Sequence, residues 1–256
     1  MNNTGLYIND SSELLSIYVT SDYPSKGDTV KSILALQSSG VDLIEVGIPF
    51  SDPLADGPVI QDSSMKALEN GFTLDGLFED LESIKKEVNV PLVPMGYFNT
   101  VLAYGVERFL DRCYSLAIDS VILPDLPVDY YQSHYQSLFQ TKGVSPVFLI
   151  TPRTAEERIK KIDALSESFI YIVADNSITG AKKGMSDGQL DYFKRIKAMN
   201  LKSPTIIGFG ISDQKTFDTA CQYAHGAIIG SAFIRAVSEE GKLEEKVNTF
   251  IKGIKN

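Results

Sequence analysis

At 256 residues, 43% of them hydrophobic, the chain has enough apolar material for a sizeable core, and its net charge is −9. That acidic balance argues against holding nucleic acid by phosphate neutralisation and against docking on anionic membranes. Cys113 and Cys221 lie far apart without CxxC spacing, and His134 and His225 are isolated, so the reading is two free thiols in a reducing compartment and no His/Cys metal site.

The chain opens MNNTGLYINDSSELLSIYVT, with no basic region followed by an apolar run, so no signal peptide is expected. No segment reaches the ~18 uncharged apolar residues of a membrane-spanning helix, and the expected location is cytoplasmic. A short helix is expected around residues 9–15. Eight short apolar runs follow, bounded by turn residues. They are SIYVT (16–20), LIEVGI (43–48), PLVPMG (91–96), SVILPD (120–125), PVFLI (146–150), YIVA (171–174), PTIIGFG (204–210) and GAIIGSA (226–232). Their β-branched, near-continuous apolarity suits strands buried on both faces of a parallel sheet. Amphipathic segments alternate with them, at 29–39, 74–88, 105–117, 154–166, 188–199, 212–224 and 243–254. Thr154, Asp187 and Ser212 are candidate helix caps. No Gly/Ser linker divides the chain. The architecture expected is α/β: one (β/α)8 TIM barrel over residues 1–256 with a short extra N-terminal helix. An open doubly wound sheet is the alternative, but eight repeating units in one undivided chain favour closure.

A barrel places its active site at the C-terminal ends of the strands. Glu45 lies inside the second run, among Val, Ile and Leu, where an unpaired carboxylate is costly. Asp56 falls in the long connection after it, SDPLADGP; as half of an Asp-Gly pair it also reads as a turn residue, and Asp52 reads as a brace for the loop. Tyr97 and Asn99 follow the third run, Asp125 ends the fourth, and Thr151 and Arg153 follow the fifth. The glycine-bearing ends GFGIS and GSA come from the seventh and eighth runs, where barrels often bind phosphate through backbone N–H groups and a helix N-terminus. Gly210 and Gly230 allow close backbone approach, Ser231 adds a hydroxyl, and Thr179-Gly180 after the sixth run can cover a ligand.

The stretch EVGIPFSDPLADGPVIQ closely resembles the signature of the tryptophan synthase alpha chain family. So do MGYFNTVLAYGVERF, VILPDLPVDY, ITGA, IGFGIS and IIGSA, in the expected order over essentially the whole length. The resemblance implies a lyase that cleaves indole-3-glycerol phosphate to indole and glyceraldehyde 3-phosphate in tryptophan biosynthesis. It matches Glu45 and Asp56 to the family's catalytic carboxylates. It matches Tyr18, Tyr97, Tyr171 and Phe209 to positions around the indole or the phosphate. Thr179, Gly180, Gly210, Gly230 and Ser231 match the phosphate site. Pro49, Pro53, the helix after them and Asn99 match the surface that meets a beta chain. The resemblance also implies a tetramer of two alpha and two beta chains, with pyridoxal phosphate only in the beta partner and no cofactor or metal in this chain. It departs from the family after the sixth run, where Ala174 replaces a Ser and Ser177 a Gly. A stand-alone lyase releasing free indole, and a weakly catalytic chain kept to activate a partner, are the alternatives. The absence of Trp suits an enzyme of tryptophan synthesis.

Overall fold

Eight parallel strands close on themselves in chain order in the computed structural model, which describes residues 1–174 and 185–255. They are β1 (Leu14–Thr20), β2 (Leu43–Gly47), β3 (Leu92–Met95), β4 (Ser120–Ile122), β5 (Ser145–Ile150), β6 (Ile170–Val173), β7 (Thr205–Gly208) and β8 (Gly226–Ile229). β8 pairs back onto β1, with Ser16 opposite Ile228, so the sheet has no free edge. The expected closed barrel is borne out.

The surrounding helices are α1 (Asn3–Asn9), α2 (Asp28–Ser38), α3 (Pro58–Glu69), α4 (Leu74–Ile84), α5 (Phe98–Tyr104), α6 (Val106–Ser115) and α7 (Val128–Tyr130). A π-helical turn at Tyr131–Tyr135 joins α7 to α8 (Gln136–Lys142). The rest are α9 (Glu156–Leu165), α10 (Asp187–Ala198), α11 (Gln214–Cys221), α12 (Ser231–Ser238) and α13 (Leu243–Lys252). No helix among the described residues is long and apolar enough to cross a membrane. Cys113 and Cys221 are free, and burial pushes both thiols up, Cys221 to about 12.

The N-terminal helix sits earlier than the sequence pattern suggests, at Asn3–Asn9 instead of around 9–15. Asn2 caps it by accepting the Gly5 N–H at 2.9 Å. Leu14 and Leu15 are drawn instead into the ladder with Gly226 and Ala227. This helix closes the bottom of the barrel. Asn2 Nδ2 donates to the Asp119 carbonyl and to Ser120 Oγ, and Thr4 donates from its N–H and its hydroxyl to the Asp119 carboxylate. Three caps are also displaced by one residue: Ala155, Ser186 and Asp213 hold the positions expected for Thr154, Asp187 and Ser212. Ser186 and Asp213 win because each forms a reciprocal capping box with the residue three further on. Thr154 turns its hydroxyl back to the Thr151 N–H. The run GAIIGSA divides: its strand stops at Ile229, and Ser231 already opens α12.

Side chains alternate in and out along each strand. Ladder partners share a face, so Ser16, Tyr18 and Thr20 on β1 point the same way as Leu43, Glu45 and Gly47 on β2. Tyr171 on β6 faces the same interior, since both Glu45 and Tyr18 act on its hydroxyl electrostatically.

Candidate active site

Glu45 is 1% exposed, and its Oε1 has no hydrogen-bond partner among the described residues. Burial raises its carboxyl from the ordinary glutamate value to about 8, with no neighbouring charge needed to explain the shift. The alternative for a core acid, an ion pair with Lys or Arg, is absent among the described residues.

Asp56 reaches the same space from the loop between β2 and α3. Its Oδ2 accepts from the Tyr97 hydroxyl at 2.9 Å. That hydroxyl in turn accepts the Ala55 N–H at 2.8 Å, so Tyr97 clamps the loop on both sides of the Ala55–Asp56 peptide. Phe50 stacks on the Tyr97 ring with centroids 5.1 Å apart. Gln61 donates to the carbonyls of Pro53 and Asp56 and ties the loop to the first turn of α3. Burial pushes the Asp56 carboxyl up, and the Tyr97 hydrogen bond opposes this by favouring the charged form. Two carboxyls thus share one mouth in different settings, one without a partner and one held by a phenol. Asp52 braces the loop through its carbonyl, which accepts the Leu54 N–H, and its carboxylate accepts from Ser51.

Tyr18 and Tyr171 are both buried, and burial is the main reason their phenols are pushed up. Each ring lies over a glycine on the next strand, Tyr18 over Gly47 and Tyr171 over Gly208. A Cβ at either glycine would overlap the phenol. Sequence reasoning gave Gly47 no role and named Gly208 only within the GFGIS strand end, not as the seat of a ring; a glycine inside a strand pattern is the signal for such an approach. Tyr171 also meets Phe209 edge-on, with centroids 6.1 Å apart. A small cavity beside these groups is lined by Tyr18, Phe50, Pro53, Asp56, Met95 and Tyr97 among others.

The residues expected to hold a phosphate lie at the ends of β7 and β8. Phe209 and Gly210 both have positive φ, 67° and 79°, which is unusual for a bulky residue such as Phe209. Gly230 precedes α12, whose first helical bond runs from the Ile234 N–H to the Gly230 carbonyl. The N–H groups of Ser231, Ala232 and Phe233 are therefore left without acceptors inside the helix, at the positive end of its dipole. A Cβ on Gly230 would stand 3.6 Å from Tyr18 Cβ, so the start of α12 and the tyrosine pack against one another. Thr179 and Gly180 lie outside the described residues. Pro49 and Pro53 are buried, and Asn99 is exposed on α5. No group of three or more His, Cys, Asp and Glu side chains among the described residues could hold a metal ion.

A model of the tryptophan synthase alpha chain family matches residues 8–255. The tryptophan synthase alpha chain of Flavobacterium psychrophilum is 53% identical over 241 residues, covering 94% of this chain and 95% of its own length. The crystal structure of the tryptophan synthase alpha subunit of Pyrococcus furiosus superposes with a TM-score of 0.88 at 31% identity, covering 95% of this chain and 98% of that one. A chain of the tryptophan synthase complex of the same organism gives 0.86 at 30% identity, with the same coverage.

Proposed function

The chain belongs to the tryptophan synthase alpha chain family, and from that premise we propose that Glu45 and Asp56 carry its reaction, the cleavage of indole-3-glycerol phosphate to indole and glyceraldehyde 3-phosphate. The observation that carries this reading is Glu45: a buried carboxyl without a partner, held protonated near neutral pH, beside a second carboxyl on the same mouth.

Indole leaves as carbon, so C3 must first gain a proton. Glu45 in its acid form gives that proton to C3. Asp56 accepts the ring N–H, with Oδ2 already engaged by Tyr97 and Oδ1 left for the ligand. Glu45, now a carboxylate, takes the proton from the hydroxyl on the carbon attached to C3. As that bond breaks, its electron pair returns to the ring and restores indole, while the hydroxyl carbon becomes the aldehyde. The proton given stays on indole C3 and the proton taken comes from the hydroxyl, so Glu45 ends the cycle protonated and no electron acceptor is required. Tyr18, Tyr171 and Phe209 supply apolar surface to the ring. The N-terminus of α12, with Gly210, Gly230 and Ser231, holds the phosphate, and Thr179 and Gly180 complete that end.

The solved relative in a tryptophan synthase complex supports a beta-chain partner for this chain; two alpha and two beta chains are the assembly that the family resemblance implies. Pyridoxal phosphate belongs to that partner, and the alpha chemistry needs no cofactor. The single barrel is read as the whole functional domain, and the cytoplasm as its location. The test is indole release from indole-3-glycerol phosphate by wild type, Glu45→Gln and Asp56→Asn, alone and with a beta chain. Slow release alone, acceleration by the beta chain and loss in both variants are expected. Undiminished release in Glu45→Gln would sink the assignment.

A further inference from the structure

A second buried polar atom inside the barrel, Ser16 Oγ, also has no hydrogen-bond partner among the described residues. Ser16 is fully buried, and Glu45 is nearly so. Buried hydroxyls and carboxyls left alone are costly, and each such group calls for an explanation. The other unpartnered atoms are elsewhere: Arg112 Nε is on α6, Tyr192 Oη is on α10, and Ser21 falls on the outward alternation past the end of β1.

The barrel itself shows how inward side chains lean. Tyr18 pairs with Glu45 in the ladder, yet its ring lies over Gly47, two residues further on. Tyr171 pairs with Ile206, and its ring lies over Gly208, again two further on. Ser16 pairs with Leu43, and the same diagonal from Ser16 ends at Glu45. We infer that Ser16 is a positioning residue for Glu45, its hydroxyl donating to the carboxylate from the floor of the site through one bridging water molecule.

The inference rests on the acid–base reading of Glu45, and that reading explains why a donor belongs there. Glu45 becomes charged only after C3 has taken its proton. The titratable groups that face it are Tyr18 from β1, Tyr171 from β6 and Asp56 from the loop after β2, with Tyr97 behind Asp56. None of these is a cation. A hydroxyl donor beneath the carboxyl stabilises the transient charge and aims the opposite oxygen at the substrate.

The sign follows. A donor to the charged form lowers the carboxyl's titration midpoint, so its removal raises it. Isotope-edited infrared titration of the whole chain would follow the protonated-carboxyl band that Glu45→Gln abolishes. Ser16→Ala is expected to move the midpoint up by roughly one pH unit, and Ser16→Thr to restore it. Ser16→Cys, close to serine in size but a weak donor, should behave like Ser16→Ala, and it stands in if the alanine variant folds poorly. In indole release, Ser16→Ala should lower kcat about tenfold with KM unchanged and carry the alkaline limb upward. A midpoint that stays put or falls in Ser16→Ala overturns the pairing, whatever happens to activity. Full activity in Glu45→Gln would instead overturn the acid–base reading, and the titration would still decide the pairing.

Discussion

Replacing Glu45 with glutamine should destroy activity and, as pH rises, make the folded chain progressively more stable than wild type. The folded state holds a carboxyl with a midpoint of about 8, whereas an exposed glutamate titrates at 4.5. Between those values the folded state binds more protons than the unfolded state, so stability falls as pH rises through that window. With those two values the penalty is about 1 kcal/mol at pH 5, about 3 kcal/mol at pH 7 and close to its limit of about 5 kcal/mol above pH 8. The glutamine side chain does not titrate, and any cost of burying its amide is the same at every pH. The stability gap between variant and wild type therefore widens by about 2 kcal/mol from pH 5 to pH 7. For a chain of this size that corresponds to roughly 4–8 °C in Tm. Scanning calorimetry of both proteins without substrate, at half-unit steps from pH 5 to pH 8, reads the gap directly, because groups that titrate alike in both cancel. A gap constant across that range would mean that Glu45 ionises in the fold as it does in water. The description of an unpartnered buried acid would then be wrong, and the general-acid role with it.

Tyr97→Phe removes the donor to Asp56 and the acceptor for the Ala55 N–H while keeping the ring stacked on Phe50. It should lower kcat/KM for indole release about tenfold, the worth of one hydrogen bond to a charged group, and unchanged kinetics would remove Tyr97 as the clamp on Asp56. Gly208→Ala pushes a methyl into the Tyr171 phenol and should destabilise the barrel by about 1–3 kcal/mol with a drop in activity. Gly188→Ala on α10, where a Cβ meets nothing within 4 Å, is the matched control and should be neutral or slightly stabilising in the same melts.

The barrel was legible because parallel strands buried on both faces read as short apolar runs, and every one of the eight runs overlaps a strand. Their ends were less legible. In GAIIGSA the apolar pattern runs on through Gly230 into α12, since a buried helix start and a buried strand end look alike in hydropathy. The same ambiguity placed the N-terminal helix over Leu14 and Leu15, which the ladder with β8 claims. α5 and α7 are only 7 and 3 residues long, too short to show a helical apolar period, and α12 follows directly on the β8 run, which hides its start. Glu45 stood out from its own strand, because a carboxylate among branched apolar residues conflicts with its surroundings. Asp56 did not, because Asp-Gly serves a turn equally well, and only the resemblance to the family singled it out. The bond from Tyr97 to Asp56 spans 41 residues of sequence, and nothing local announces it.

The way the two carboxyls are mounted bears on what each can do. Glu45 grows from the middle of β2, hydrogen-bonded to strands on both sides, so its Cα is among the least movable points of the fold. A residue that must give a proton to one atom and then take one from a neighbour benefits from a fixed root and a short swing. Asp56 hangs on a proline-rich loop whose position depends on one phenol, one glutamine and one aromatic stack. That loop leads into α3, beside Pro53 and the 84% exposed Leu54, on the face proposed to meet the beta chain. A partner pressing there has a route to Asp56 through the Tyr97 clamp and no comparable route to Glu45. Partner binding should then act on how the indole N–H is held, while the proton chemistry stays with the barrel. A beta chain that accelerates wild type strongly and Tyr97→Phe only weakly would bear this division out; equal acceleration of both would place the coupling elsewhere.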